Sequence, residues 1–273
     1  MEKRRMIHKI EVVVLLMLAI LVLIPYVWMI MTSFKTSKDY LMHSSSLWPR
    51  ACTLDGYKKV FTGSPFFKWF LNSLLVTGSI TIIVIFTSTM TGFVFAKYNF
   101  WHKEVWFAVI LATMMVPSQV TMIPNFLIVL HLGLYNKLAA LIVPQMVRMF
   151  GVFLCRQAIE DIPDSLCEAA KIDGASDFMI YRKIILPNLK PTISSLGIFT
   201  ALAMWNDYLN ALIMLNDVEN MTLPIAMNYF ANQYTADMGA TMAAATLMTL
   251  PMLILFLLFQ RQFIEGSTLS GIK

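Results

Sequence analysis

Two sets of residues in this sequence have types and spacings that could do chemistry. The first is a pattern in a charged stretch: Glu168-Ala169-Ala170, three residues, Gly174, nine residues, Ile184, one residue, then Leu186-Pro187. The second is a pair of charges, Arg148 and Asp207, inside otherwise uncharged apolar runs. Neither is a covalent-catalysis constellation. Cys52, Cys155 and Cys167 and the four histidines are dispersed, with no metal-ligand spacing. Gly-x-x-x-x-Gly-Lys does not occur, and none of the 11 glycines is followed by lysine, so the phosphate cradle of an ATPase is missing. The chain reads as a non-enzyme that binds no cofactor or metal. Its polar residues can pair, dock and hydrogen-bond.

The charged stretch needs a rigid support. Pro163 suits the first turn of a helix and Gly174 suits its end, which leaves about three turns between them. Ala169 and Ala170 flatten one face, so that a partner's backbone or groove can approach closely. Glu168, Lys171 and Asp173 can form ion pairs at its edges. Ser176 can cap a second short helix running through Ile185. Leu186-Pro187 and Lys190-Pro191 then break the chain.

The intramembrane charges need a polar environment. A lipid-facing charge at mid-bilayer costs about 2.5–3.5 kcal/mol on insertion scales, which turns Arg148 and Asp207 inward. On a helix, Gln145 shares a face with Arg148, and Asn206 with Asn210. These five residues are candidates for a translocation path or for contact with a partner subunit. Trp205 and Tyr208 lie beside them and offer aromatic faces.

The surrounding elements are membrane helices. Of the 273 residues 58% are hydrophobic and 14% charged, against about 25% charged in soluble domains. Apolar runs at about 12–31, 69–96, 105–130, 138–155, 191–215 and 238–260 are each long enough to cross a bilayer. They predict an all-α protein with six transmembrane helices in one domain over 1–273, with a cytoplasmic loop at about 160–190 between spans four and five. Pro117, Pro124 and Pro144 should kink two of the spans. Lysines and arginines number 13 on the side of the termini and 7 on the other. The larger group faces the cytoplasm, so both termini do. The net charge of +5 is scattered through short loops, which argues against a nucleic-acid partner.

The Glu-Ala-Ala to Leu-Pro pattern, at these gaps and before the fifth of six spans, resembles the membrane subunits of bacterial ABC importers. Thr32-Ser33-Phe34-Lys35, Trp69-Phe70-Leu71-Asn72-Ser73, Val116-Pro117-Ser118-Gln119, Arg156-Gln157 and Trp205-Asn206-Asp207 resemble the carbohydrate-uptake branch. The likeness is greatest to the smaller, maltose-type permease. It implies an inner-membrane, multi-pass permease whose partners are a second homologous permease, two ATP-binding subunits that use ATP and magnesium, an extracytoplasmic sugar-binding protein and the bilayer. It assigns coupling to the ATPase to Glu168, Ala169, Ala170, Asp173, Gly174, Ile184, Leu186 and Pro187. It makes the last external loop, 216–237, a contact for the binding protein through Asn228, Tyr229, Phe230, Gln233 and Tyr234. The competing reading from the residues is a secondary transporter driven by an ion gradient. That class favours buried carboxylates, broken helices and internal repeats, and one aspartate with no detectable repeat argues against it.

Overall fold

The computed structural model describes residues 2–234 and 237–269, and side chains over 8–234 and 237–260. Fifteen α-helices run in chain order among the described residues: α1 Glu2–Ser33, α2 Ser37–Met42, α3 Asp55–Gly63, α4 Phe66–Lys97, α5 Lys103–Thr113, α6 Ser118–His131, α7 Ala139–Ile142, α8 Met149–Glu160, α9 Asp164–Ile172, α10 Asp177–Ile180, α11 Leu186–Asn188, α12 Lys190–Trp205, α13 Leu209–Met214, α14 Leu223–Gln233 and α15 Met238–Leu269. No strand occurs among them. Contacts divide the chain into two compact units, Met1–Phe67 with Ala226–Pro251 and Lys68–Ile225 with Met252–Lys273.

Three helical stretches are continuous and apolar enough to cross a membrane: His8–Ser33, Phe66–Lys97 and Met238–Gln260. The other expected spans are broken. Between α5 and α6 the chain turns by 97°, and the pair α7–α8, extended by the 3₁₀ turn Val143–Gln145, bends by 42°. At the first break the amides of Met114, Met115 and Val116 bond back three residues, which tightens the helix. Pro117 then has no N–H to continue it. Pro144 sits in the turn just before the second break, and the freed carbonyl of Met146 accepts from the Thr87 hydroxyl at 3.0 Å. Pro124, by contrast, lies within α6. The expected span 191–215 is α12 and α13 with a break at 206–208. Counting each bent pair as one crossing gives up to five spans by length and composition among the described residues. Leu186-Pro187 and Lys190-Pro191 do not stop the chain: both prolines take first-turn positions of α11 and α12, where a missing N–H costs no bond.

In the first unit, glycines let backbones touch. A Cβ on Gly56 would stand 2.9 Å from the carbonyl oxygen of Gly239, and one on Gly239 would stand 2.7 Å from that of Lys35. Lys35 is buried, and its ammonium donates to the carbonyls of Ser46 and His43. Asp237 caps α15 by accepting from the Ala240 N–H at 3.2 Å, and it pairs with Lys59. Burial resists ionisation of the Asp237 carboxyl, but the bonds from Lys59 and the Ala240 N–H outweigh it and hold the group below the usual carboxylate range. The same pairing raises the Lys59 ammonium. A depressed carboxyl stabilises the fold above its unfolded pKa, about 3.9, and that stability is lost as pH falls through the folded value. A raised ammonium stabilises below about 10.4 and loses that as pH rises further. Thermal unfolding in detergent is therefore expected to be flat from about pH 5 to 9 and to fall on acidification below about pH 4. Asp237→Asn should lower the plateau and flatten the acid limb; an unchanged acid limb counts against the pair.

The second unit has a core of Val76, Ile80, Val84, Phe93, Cys155, Ile159, Ile180, Ile185, Leu189 and Leu196, all buried. Two close approaches set its helix spacing. A Cβ on Gly92 of α4 would lie 2.8 Å from the Cys155 Cβ and 2.9 Å from the Arg156 nitrogen of α8, and Gly151 faces the Ser88 side chain. Small residues at such crossings let helices associate without help from the hydrophobic effect.

Candidate functional site

The charged stretch folds as one anchored knob. Pro163 holds the N-cap position, and Asp164 in the first turn with Lys171 in the last complements the helix dipole of α9. The helix ends in a Schellman motif: Ala175 N–H bonds the Ala170 carbonyl at 2.9 Å, and Gly174 N–H that of Lys171 at 3.0 Å. Gly174 has φ +80°, and a Cβ there would meet nothing within 4 Å, so backbone conformation alone asks for glycine. Ser176 Oγ then accepts from the Met179 N–H at 3.3 Å and caps α10, which passes into a π-helical turn, Tyr181–Ile185. The fixed gap from the alanines to Gly174 is thus the capped last turn of α9.

Two faces result. Cys167, Ile180, Tyr181, Ile185 and Leu189 are buried beneath. Glu168, Ala169, Asp173, Gly174 and Pro187 are exposed, with Ala170, Ile184 and Leu186 half-buried. Leu166, Ala169 and Ile172 recur every three residues on the exposed side, and Ile172 is 87% exposed. Phe178 and Met179 extend this apolar surface.

The knob is tied to the end of α4. Lys97 is buried; its ammonium donates to the Ile162 carbonyl and pairs with Asp164 at 2.6 Å. That hydrogen bond holds the Asp164 carboxyl below its usual range. Burial, then a hydrogen bond to Asp177, pushes the Tyr98 phenol up to about 12, so it stays a donor. Thr89 and Tyr181 hydroxyls meet at 2.8 Å, and Phe93 packs on both Tyr98 and Tyr181. On α8, Arg156 bonds Glu160 at 2.7 Å and Glu104 at 3.2 Å, with its guanidinium over Phe107. Lys97, Tyr98 and Tyr181 were not expected from the sequence. A lysine closing a 28-residue uncharged run was the one available signal for them.

At the other end of α4, the residues Trp69 to Ser73 clamp the segment before α14. Trp69 Nε1–H donates to the Val218 carbonyl at 2.6 Å, and Asn72 donates to those of Glu219 and Met221 at 3.0 and 2.9 Å. Ser73 Oγ accepts from the Leu223 N–H at 2.8 Å. Asn136, at φ +60°, accepts the amides of Asn216 and Asp217 on its side-chain oxygen. Half of the expected loop 216–237 is helix α14. Asn228, Tyr229 and Gln233 are exposed on it and Tyr234 is half-buried. Phe230 corrects the expectation: it is fully buried, 4.5 Å from the Tyr234 ring, and offers no surface to a partner.

The intramembrane polar residues meet differently from the helical-face reading. Gln145 closes a 3₁₀ turn and Arg148 is extended, so they share no helical face. Asn206 ends α12 with its amide on the Leu202 carbonyl at 2.8 Å, and Asn210 lies in α13 beyond the break. Asp207 accepts from the Asn210 amide at 3.0 and 2.9 Å. Arg148 lies within electrostatic reach of Asp207. A cavity of about 280 Å³ is lined by Ser118, Gln119 and Met122 of α6 and by Ala203 and 206–210. Ser118 and Gln119 carried only a resemblance in the sequence; their place beside Asp207 comes from the 97° turn.

Residues 88–266 match the family profile described as "Binding-protein-dependent transport system inner membrane component". The arabinooligosaccharides transport system permease protein of Bacillus subtilis is 34% identical over 261 residues, covering 94% of this chain and 93% of the relative. Its counterpart in Halalkalibacterium halodurans is 31% identical over 259 residues, covering 94% and 93%. Among solved structures, a chain of a bacterial ABC transporter involved in the import of the acidic polysaccharide alginate superposes with TM-score 0.85 at 22% identity, covering 95% of this chain and 97% of that one. At that identity the likeness speaks for the fold.

Proposed function

Because the chain belongs to the family of binding-protein-dependent transport system inner membrane components, we propose that it is the membrane permease subunit of an ABC importer for a sugar or oligosaccharide. In this reading it crosses the bacterial inner membrane six times, three of the crossings being broken, with both termini in the cytoplasm. It pairs with a second homologous permease and rests on two ATP-binding subunits, which bind and hydrolyse ATP with magnesium; this chain does neither. An extracytoplasmic binding protein delivers the sugar and is met by Asn228, Tyr229, Gln233 and Tyr234.

The observation that carries the reading is α9. Its exposed face offers Leu166, Ala169 and Ile172 to a partner, while its other side is bonded to α4 through Lys97 and Asp164. Large exposed aliphatic side chains on an anchored helix mark an interaction surface. α9 thus serves as the coupling helix, docking in a cleft of the ATPase, and ATP-driven closure of the ATPase pair biases the membrane gate between two states. Broken helices also occur in ion-driven transporters, so they do not favour that alternative. The test is uptake into proteoliposomes of the assembled complex. Transport is expected to need luminal ATP and external binding protein, and to survive an ionophore; ATP-independent uptake that the ionophore abolishes refutes the reading.

The tie to α4 has its own expected result. Lys97→Met removes a buried ammonium from Ile162 and Asp164 yet leaves the outer face of α9 intact. The ATPase should still co-purify, while uptake falls about tenfold; that is about 1.4 kcal/mol, within the 0.5–2 kcal/mol typical of residues that transmit coupling. Unchanged uptake would show that the tie transmits nothing.

A further inference from the structure

We propose that the cavity between α6, the end of α12 and the start of α13 is a subsite for a single ring of a neutral saccharide, with Asp207 and Gln119 as its hydroxyl-binding groups. The proposal rests on the reading of the chain as a sugar-importer permease and adds to it the ligand chemistry of this cavity.

Two helix breaks open on the same space. Pro117 ends the first at Ser118 and Gln119, and 206–208 form the second; both line the cavity. Irregular backbone at membrane depth persists only where it is buried in protein or lines a polar path. Here two such interruptions converge, which a merely structural kink does not require. The volume of about 280 Å³ falls just below the range of drug-sized ligand pockets, about 300–1,000 Å³, which suits one ring at a time and not a whole oligosaccharide.

The lining has the donor and acceptor balance of a sugar site. A ring hydroxyl both donates and accepts. Asp207 is an acceptor with about four lone-pair directions. The Asn210 side chain reaches both carboxylate oxygens, at 3.0 and 2.9 Å, and its backbone N–H reaches one at 3.3 Å. These bonds fix the carboxylate's orientation and leave capacity for two neighbouring hydroxyls, with the added strength of a charged acceptor. The Gln119 amide lies across the cavity and can both donate and accept. Met122 and Leu209 supply apolar surface for the C–H faces of a ring. The charge also selects: a uronate ring would set its carboxylate against Asp207, and like charges in a confined site repel. Arg148 lies within electrostatic reach of Asp207 but contributes no surface to the cavity. The ligand class is therefore a neutral ring, whatever the fold neighbour carries.

The experiment uses the complete transporter in proteoliposomes with its binding protein. Saccharide uptake and ATP hydrolysis are measured side by side on labelled arabinobiose, maltose, lactose and diacetylchitobiose. Gln119→Leu and Asp207→Asn should each lower the saccharide moved per ATP hydrolysed by about tenfold, a group that binds the ring being lost from the path. A structural role would lower uptake and hydrolysis together and leave their ratio at the parent value; that result in both variants overturns the proposal. If Asp207→Asn fails to assemble, Gln119→Leu decides alone, because Gln119 is exposed. A parent transporter that moves none of the panel overturns the importer reading itself, and the subsite with it.

Discussion

An Ile172→Asp chain is expected to insert and fold as the parent does and to purify without the ATP-hydrolysing partner proposed for it. Ile172 is 87% exposed, so in the isolated chain the change is a surface substitution, within about ±0.5 kcal/mol. In a docked complex the same side chain is covered. Burying an isoleucine contributes about 1.5–3 kcal/mol, and placing an unpaired carboxylate there adds a desolvation cost. A loss of about 3 kcal/mol is more than a hundredfold in affinity. The measurement is subunit stoichiometry after gentle solubilisation, with thermal unfolding of the free chain as the control. Gly174 gives an independent arm. Its αL conformation is tolerated by asparagine and resisted by β-branched residues, and no neighbour crowds the site. Gly174→Asn should therefore retain most docking and Gly174→Val should lose it. A docked, transporting Ile172→Asp complex would remove α9 from the interface.

The second large effect compares two glycines of one helix. Gly92→Leu should abolish recovery of folded protein, and Gly78→Leu should be nearly silent. At Gly92 even a methyl group would stand 2.8 Å from Cys155 and 2.9 Å from the Arg156 backbone, whereas at Gly78 it would meet nothing within 4 Å. Both sit in α4, so helix propensity changes alike and cancels. Overpacking typically costs about 1–3 kcal/mol and occasionally more. Here the contact is to a neighbouring backbone, so relief comes only by separating α4 from α8. That separation also strains Arg156, which holds Glu104 and Glu160. Detergent-solubilised yield and monodispersity read the outcome; equal recovery of the two variants would mean that the α4–α8 approach is not fixed by Gly92.

What the sequence revealed and what it hid follow from the range of each interaction. The span from Pro163 through Gly174 to Ser176 was legible because its determinants are local: a cap, a helix length and one positive φ. The continuous spans around 12–31, 69–96 and 238–260 were legible from composition. The bends at 114–117 and 146–148 were legible as kinks from Pro117 and Pro144, but their angles and the break at 206–208 were not, because hydropathy is blind to backbone direction. A proline states where a helix can stop, and only tertiary partners such as Thr87 on the Met146 carbonyl decide whether it does. Pro117 and Pro144 lie at or beside breaks, while Pro124 and Pro251 remain inside helices. The face pairings Gln145 with Arg148 and Asn206 with Asn210 failed for the same reason: they assumed unbroken periodicity. Arg148 and Asp207, far apart in sequence and both half-buried, come within electrostatic reach only through the fold. Phe230 was assigned to the surface on aromatic character alone, which does not separate a docking residue from a core one.

α4 joins two of the features described above. It is continuous from Phe66 to Lys97, without proline, and it spans about 48 Å at 1.5 Å per residue. Its last residue grips Asp164 and the Ile162 carbonyl, and Trp69, Asn72 and Ser73, near its start, grip 218–223. Mechanically it is a push rod with a fitting at each end. An axial shift at the Lys97 fitting reaches the other undiminished, and a tilt of about 5° over that length displaces the far end by about 4 Å. Movement at one end of the helix therefore arrives at the other as displacement, with no loop in between to absorb it as slack.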